Sequence, residues 1–182
     1  MNIFSTQISG SVSLSILEIR HAPLLFDLVR ANHSRLLEWC PWLAEVETIE
    51  RTEGFVRSKL TRFANDNGFT AGLFENSNLI GVAALEYIDA PNSITEIGYW
   101  LDEPSEGRGI ITAVCRRLID HAFTDRNLER VQIRCATDNL RSRAIPQKLG
   151  FTEEGVIRQC ERLQDRTVDL VVYGLLRSEW NT

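Results

Sequence analysis

Two periods of apolar residues run along this 182-residue chain, and the switches between them mark its elements. Ile97, Tyr99 and Leu101 alternate with Glu96, Gly98 and Trp100, a period of two that predicts a strand with two differently used faces. Asp102 to Ser105 interrupts that alternation. From Ile110 onward Ile110, Ile111, Val114, Cys115, Leu118, Ile119, Ala122 and Phe123 recur as pairs every four residues, the single apolar stripe of an amphipathic helix. Gly107-Arg108-Gly109 therefore lies where a strand turns into a helix.

The same periods order the remainder. Residues 1 to 11 are polar enough for a loose or edge segment, and Ser13 to Ile19 reads as a first strand. A helical pattern then runs from His21 to Cys40-Pro41-Trp42, where proline disfavours helical geometry in the residue before it. Thr48 opens a second, charge-rich helix that runs to Asn65. Phe69 to Phe74 and Leu79 to Tyr87 form a hairpin over Glu75-Asn76-Ser77-Asn78, and Asp89 to Asn92 turns into the strand at Glu96. Val131, Ile133 and Cys135 mark a fifth strand, Asn139 caps a short helix closed by Gly150, and Gly155 to Arg162 and Thr167 to Arg177 pair around Gln164-Asp165. One α/β domain over residues 1–182, built on one mixed sheet, is the expected fold.

The glycine turn has chemical meaning. The first turn of a helix carries N–H groups without intrahelical partners and the positive end of the peptide dipole, which together attract an anion. Glycines at 107 and 109 remove the side chains that would hold a phosphate away. A P-loop is excluded because no Gly-x-x-x-x-Gly-Lys-Ser/Thr is present, and the Rossmann fingerprint fails because Thr112 stands where its third glycine belongs.

Composition narrows the partners. The chain carries 25 acidic and 20 basic residues, a net charge of −5, which argues against broad electrostatic binding of nucleic acid and tolerates a cationic acceptor. No apolar run reaches the length of a membrane span, and the N-terminus lacks a signal-peptide pattern, so no membrane partner and a cytoplasmic location are expected. Cys40, Cys115, Cys135 and Cys160 are too widely spaced for a zinc set, and core thiols are expected.

Taken together, Glu96 to Leu101, Glu106 to Ile110, Asn139-x-x-Ser142-Arg143-x-x-Pro146 and Leu149-Gly150-Phe151 resemble the Gcn5-related N-acetyltransferases (GNAT), most closely their RimJ/RimL-like branch. The resemblance covers nearly the whole chain. It implies a mostly antiparallel, twisted sheet of about seven strands with flanking helices, splayed between the fourth and fifth strands. It also implies transfer of an acetyl group from acetyl-CoA to a primary amine by direct attack in a ternary complex. The expected cofactor-binding residues are Trp100, Leu101, Glu106, Gly107, Arg108, Gly109, Ile110, Ile111, Thr112, Asn139 and Ser142, with no metal. The expected acceptor is the N-terminal amine of a protein; a small amine such as a polyamine or an antibiotic, or a weakly catalytic CoA-binding module, are the alternatives. A homodimer is admitted among the partners.

Three positions depart from the family pattern, of which Ile111 is a bulkier residue where the loop usually ends on Gly or Ala. Glu106 opens the loop where Gln or Arg is usual, placing a carboxylate near the pyrophosphate, with Arg108 expected to offset it. Pro146 stands where many members carry the tyrosine that protonates the leaving thiolate, so Ser142 is the remaining hydroxyl for that role. For the base that deprotonates the amine the candidates are Glu161 and Glu96, against the plainer reading of each as a solvated strand carboxylate. Trp39 and Trp42 are read as packing residues, and His121 as a surface histidine.

Overall fold

The computed structural model describes residues 6–40, 42, 46–163 and 166–180. Its centre is an eight-stranded sheet of order β1-β2-β3-β4-β5-β6-β8-β7. The strands are β1 (Thr6–Ser9), β2 (Val12–Ile16), β3 (Phe69–Glu75), β4 (Asn78–Asp89), β5 (Ile94–Leu101), β6 (Arg130–Ala136), β7 (Thr152–Arg162) and β8 (Thr167–Leu176). The strand beyond the expected count is β1, at the edge that the polar first residues suggested. The first internal strand stops at Ile16, and buried Leu17 adds one last bond to β3, its N–H donating to the Thr70 carbonyl at 3.0 Å.

Helices cover both faces. On one lie α1 (Ala22–Ala31), α2 (His33–Leu36) and α3 (Ile49–Ala64), whose Leu25, Val29, Leu36 and Val56 pack with Leu79, Val82 and Trp100 of the sheet. Against the other lies α4 (Ile110–Asp120), burying Ile110, Val114, Cys115, Leu118 and Ile119 beside Ile97, Val131, Ile133 and Tyr173. α5 (Leu140–Lys148) follows β6 and adds Ile145 and Leu149 to this second cluster. The helix expected from His21 to Cys40 is broken at Asn32, whose amide side chain donates to the Leu28 carbonyl and competes with the helical ladder. Thr48 caps α3 as its sequence suggests, its hydroxyl accepting from Arg51 N–H at 3.3 Å. The turn at Gln164-Asp165 and residues Pro41 and Leu43 lie outside the described residues.

One junction sets up the site. Every neighbouring pair of strands is antiparallel except β5 and β6, which run parallel and pair only through Ile94, Thr95 and Glu96 with Arg130, Val131 and Gln132. Beyond Glu96 the two strands part. β5 keeps its ladder to β4 as far as Leu101, and β6 keeps its own to β8 as far as Ala136, so the splay opens between two intact half-sheets.

Candidate active site

The splay opens into a cleft of about 1540 Å³ bounded by the glycine turn, α5, the end of α2 and the middle and C-terminal half of α3. All of the expected site residues except Arg108 line it. The turn has the backbone geometry of the anion cradle that the sequence predicts. Gly109 is the N-cap of α4 with φ 77°, Gly107 has φ 72°, and a Cβ on either would project into open space. The N–H groups of Ile110, Ile111 and Thr112 form the first helical turn and have no carbonyl behind them.

Arg108 corrects one expectation. Its guanidinium turns away from the cleft to grip Glu75 on β3 through two contacts of 2.9 and 2.5 Å, and that hydrogen-bonded cation holds the Glu75 carboxyl down to about 2. Arg108 therefore leaves Glu106 to other cations. Arg35 of α2 bonds one Glu106 oxygen, and Arg141 of α5 bonds the other at 2.9 Å. Arg35 also donates to the carbonyl of Leu101, so that backbone oxygen is already occupied. Two arginines neutralise the unfavourable carboxylate, and neither was legible from the loop sequence because both come from other elements.

At the start of α5, Asn139 accepts from Ser142 N–H at 3.1 Å, the predicted cap. Pro146 lacks the N–H that would bond the Ser142 carbonyl. The phenol of Tyr99 supplies it instead, donating to that carbonyl at 3.0 Å, while the Ser142 hydroxyl reaches the Tyr99 oxygen at 3.4 Å. Cys135 Sγ lies 3.2 Å from Ser142 Oγ. Burial pushes Tyr99 well above its ordinary range and raises Cys135, so both stay protonated. Tyr99 of β5, which the alternation placed on one strand face and left without a role, thus brings a phenol to Ser142 where α5 carries Pro146.

The carboxylates occupy the opposite sheet face. Glu96, 9% exposed, accepts from Gln132 and from Arg134 Nε, each at 2.8 Å, and Gln132 also reaches the Tyr87 hydroxyl. Glu161 on β7 faces the same cluster. Burial raises its carboxyl above the ordinary value, Arg134 pulls it down and Glu96 pushes it up again. Glu96 is thus committed to an ion pair, and Glu161 is the carboxylate with proton affinity to spare.

The aromatic residues read as packing also line the cleft. Trp42 stacks on Phe55 and tilts against Trp100, with both centroid separations 5.9 Å. His121 is half-buried, bonded to Asp125 at 2.9 Å and edge-on to Phe69, and does not border the cleft. Cys40, pushed up to about 12 by burial, and Cys115, raised further by the same cause, are core thiols; Cys160 is exposed.

Comparison with known proteins agrees with this geometry. Residues 12–152 match the family model described as the acetyltransferase (GNAT) domain. The Bacillus subtilis (strain 168) protein YdaF is 37% identical over 180 residues, covering 98% of each chain. The ribosomal-protein-serine acetyltransferase of Escherichia coli (strain K12) is 31% identical over 168 residues, covering 92% of this chain and 94% of that one. Among solved structures, RimL, the ribosomal L7/L12 α-N-protein acetyltransferase in complex with coenzyme A, superposes with a TM-score of 0.90 at 27% identity, covering 95% of this chain and 98% of that one. A chain with this splay, this glycine turn and these relatives belongs to the GNAT acetyltransferase family, in its RimL-like branch.

Proposed function

We propose that the protein transfers the acetyl group of acetyl-CoA directly to the N-terminal amine of a protein, of the ribosomal-protein kind named for its relatives. The observation that carries the reading is the splay itself, open between β5 and β6, with the glycine turn at one end and a buried and a half-buried carboxylate, Glu96 and Glu161, at the other. Acetyl-CoA, when bound, supplies an activated thioester. The chain's residues then have separate tasks: the N–H groups of Gly107 to Thr112 hold the pyrophosphate, Trp100 and Leu101 border the pantetheine path, and Asn139 fixes Ser142 beside it. Glu161 takes the proton from the ammonium on one sheet face, and Ser142, backed by Tyr99, stabilises the leaving thiolate on the other. None of the buried cysteines suits an acetyl-carrying role, since Cys40, Cys115 and Cys135 are all held as thiols by burial. A cytoplasmic setting accords with a ribosomal acceptor.

Glu106 no longer favours a catalytically weak CoA module, because Arg35 and Arg141 bind its carboxylate. The aromatic wall of Trp42, Phe55 and Trp100 does favour a second reading, acetylation of a small amine with an apolar body. Steady-state thiol release with a panel of peptides, polyamines and aromatic amines separates the two. Peptides with a free N-terminus are expected to turn over fastest and their N-terminally blocked copies not at all; preference for the free small amines would replace the first reading by the second.

The cradle is tested separately. Gly109→Val places a β-branched side chain at φ 77°, where it is strained, and fills the space above the N–H groups. CoA affinity measured by calorimetry is expected to fall on the order of tenfold or more, each tenfold being about 1.4 kcal/mol. Unchanged affinity would move the pyrophosphate elsewhere.

A further inference from the structure

We infer that Glu86 orients the acceptor, its free carboxylate oxygen accepting the first peptide N–H of the protein N-terminus; the inference rests on the protein-acceptor reading above. Glu86 lies on β4 in the wall of the cleft, and its two oxygens are used differently. Oε2 is held from α3 by Lys59 Nζ at 3.4 Å and Arg62 Nη1 at 3.1 Å, and Arg62 also donates to the Glu86 backbone carbonyl. Oε1 makes no hydrogen bond to any described residue and lies 2.8 Å from where a Cβ on Gly98 would stand. The carboxylate therefore rests on bare backbone, and any side chain at position 98 would displace it.

The position of Gly98 gives this packing its meaning. Glu96 is the last β5 residue paired with β6, and Gly98 is the next residue on the same sheet face. Oε1 thus sits at the mouth of the splay, between the Glu96–Arg134 pair and Trp100. The row beneath is made of small residues, Thr70, Ala84 and Gly98 being successive cross-strand partners on β3, β4 and β5. All three line the cleft, and the hydroxyl of Thr70, 3% exposed, has no hydrogen-bond partner among the described residues. A slot floored by small side chains and bordered by a fixed carboxylate admits an extended chain end.

An amine held only at its nitrogen can rotate its lone pair away from the thioester, and a second anchor removes that freedom. Protein N-termini share one donor close to the amine whatever their side chain, the N–H of the first peptide bond. A carboxylate oxygen with a lone pair not engaged by another donor is a strong acceptor for it. The division of labour leaves Glu161 to take the proton and Glu86 to set direction.

The experiment compares two peptides that differ only in having an amide or an ester as the first peptide link, the ester lacking the N–H. With the wild-type protein the ester is expected to lose roughly ten- to a hundredfold in kcat/KM, the range of a hydrogen bond to a charged group, mainly through KM. Glu86→Ala should bring amide and ester to the same low value with CoA affinity unchanged. Glu86→Gln, which keeps the shape and an acceptor oxygen, should retain part of the preference and serves should the alanine variant fail to fold. Gly98→Ala, which keeps the carboxylate but displaces it, should lower the amide peptide's kcat/KM toward the ester's. Equal rates for amide and ester in the wild type would overturn the assignment of Glu86 alone. So would an equal loss on both peptides in the Glu86 variants, the pattern of a merely structural role. Turnover of neither peptide beside turnover of small amines would remove the protein-acceptor reading and this assignment with it.

Discussion

Glu161→Gln is expected to lower turnover on the order of a hundredfold near neutral pH while leaving CoA affinity almost unchanged. A base works only when deprotonated, and burial raises the Glu161 carboxyl above its ordinary value. The wild-type rate should therefore fall as pH drops through that raised value, earlier than for an exposed carboxylate. The glutamine variant should lose this acidic limb and depend instead on the fraction of acceptor already deprotonated, so high pH partly restores it. Stability moves the opposite way. A carboxyl whose folded pKa is raised contributes stability fully present below its unfolded value and lost as pH rises through the folded one. The neutral glutamine avoids that loss, so the variant should melt slightly above the wild type at neutral pH and show no such gain in acid. Near-normal turnover that keeps the acidic limb would return Glu161 to a structural role and leave catalysis to positioning.

The second large effect is expected at Ser142 and Tyr99. Ser142→Ala removes the hydroxyl nearest the proposed path of the thiolate and should cost on the order of a hundredfold in turnover with any amine, without rescue at high pH. Tyr99→Phe tests the rest of the relay. It removes the donor that compensates for Pro146 and leaves the Ser142 carbonyl without that partner, at a cost of about 1–3 kcal/mol. Denaturant unfolding reads that cost, and thiol release reads the loss of support for the serine hydroxyl. The two variants also separate the donors. Should Ser142→Ala keep its rate and Tyr99→Phe lose it, the phenol is the acid and the serine its neighbour. Should both keep it, the hydroxyl pair serves packing alone.

The elements that carry the cofactor end were legible because each is local. A period-two strand, a glycine turn and an apolar helix stripe follow one another within a single stretch, and Asn139 caps its helix with its own side chain. What remained hidden was made by residues distant in the chain. Glu106 is tamed by Arg35 and Arg141, which lie on two other helices, and Arg108, its near neighbour, is claimed by Glu75 across the sheet edge. Tyr99 looked like one more core position because alternation reports the face of a residue and not what its hydroxyl meets. Glu86 gave no signal either, since its place depends on the register that sets Ala84 opposite Gly98. The break at Asn32 and the edge strand β1 were blurred for a different reason: a local side-chain bond and tertiary pairing decide them, and periodicity reports neither.

The parallel pairing of β5 with β6 spans only three residues, and it is the seam along which this enzyme is sewn together. On one side of the seam lie the anion cradle, Tyr99 and Glu96; on the other lie Ser142, Arg134 and, further out, Glu161. Alignment between the two reacting partners therefore depends on Thr95 and Val131, both fully buried, together with the side-chain bonds that cross the seam from Tyr99 and Glu96. A substitution at Thr95 or Val131 would shift the glycine turn and the acceptor side against each other without touching a group in the cleft.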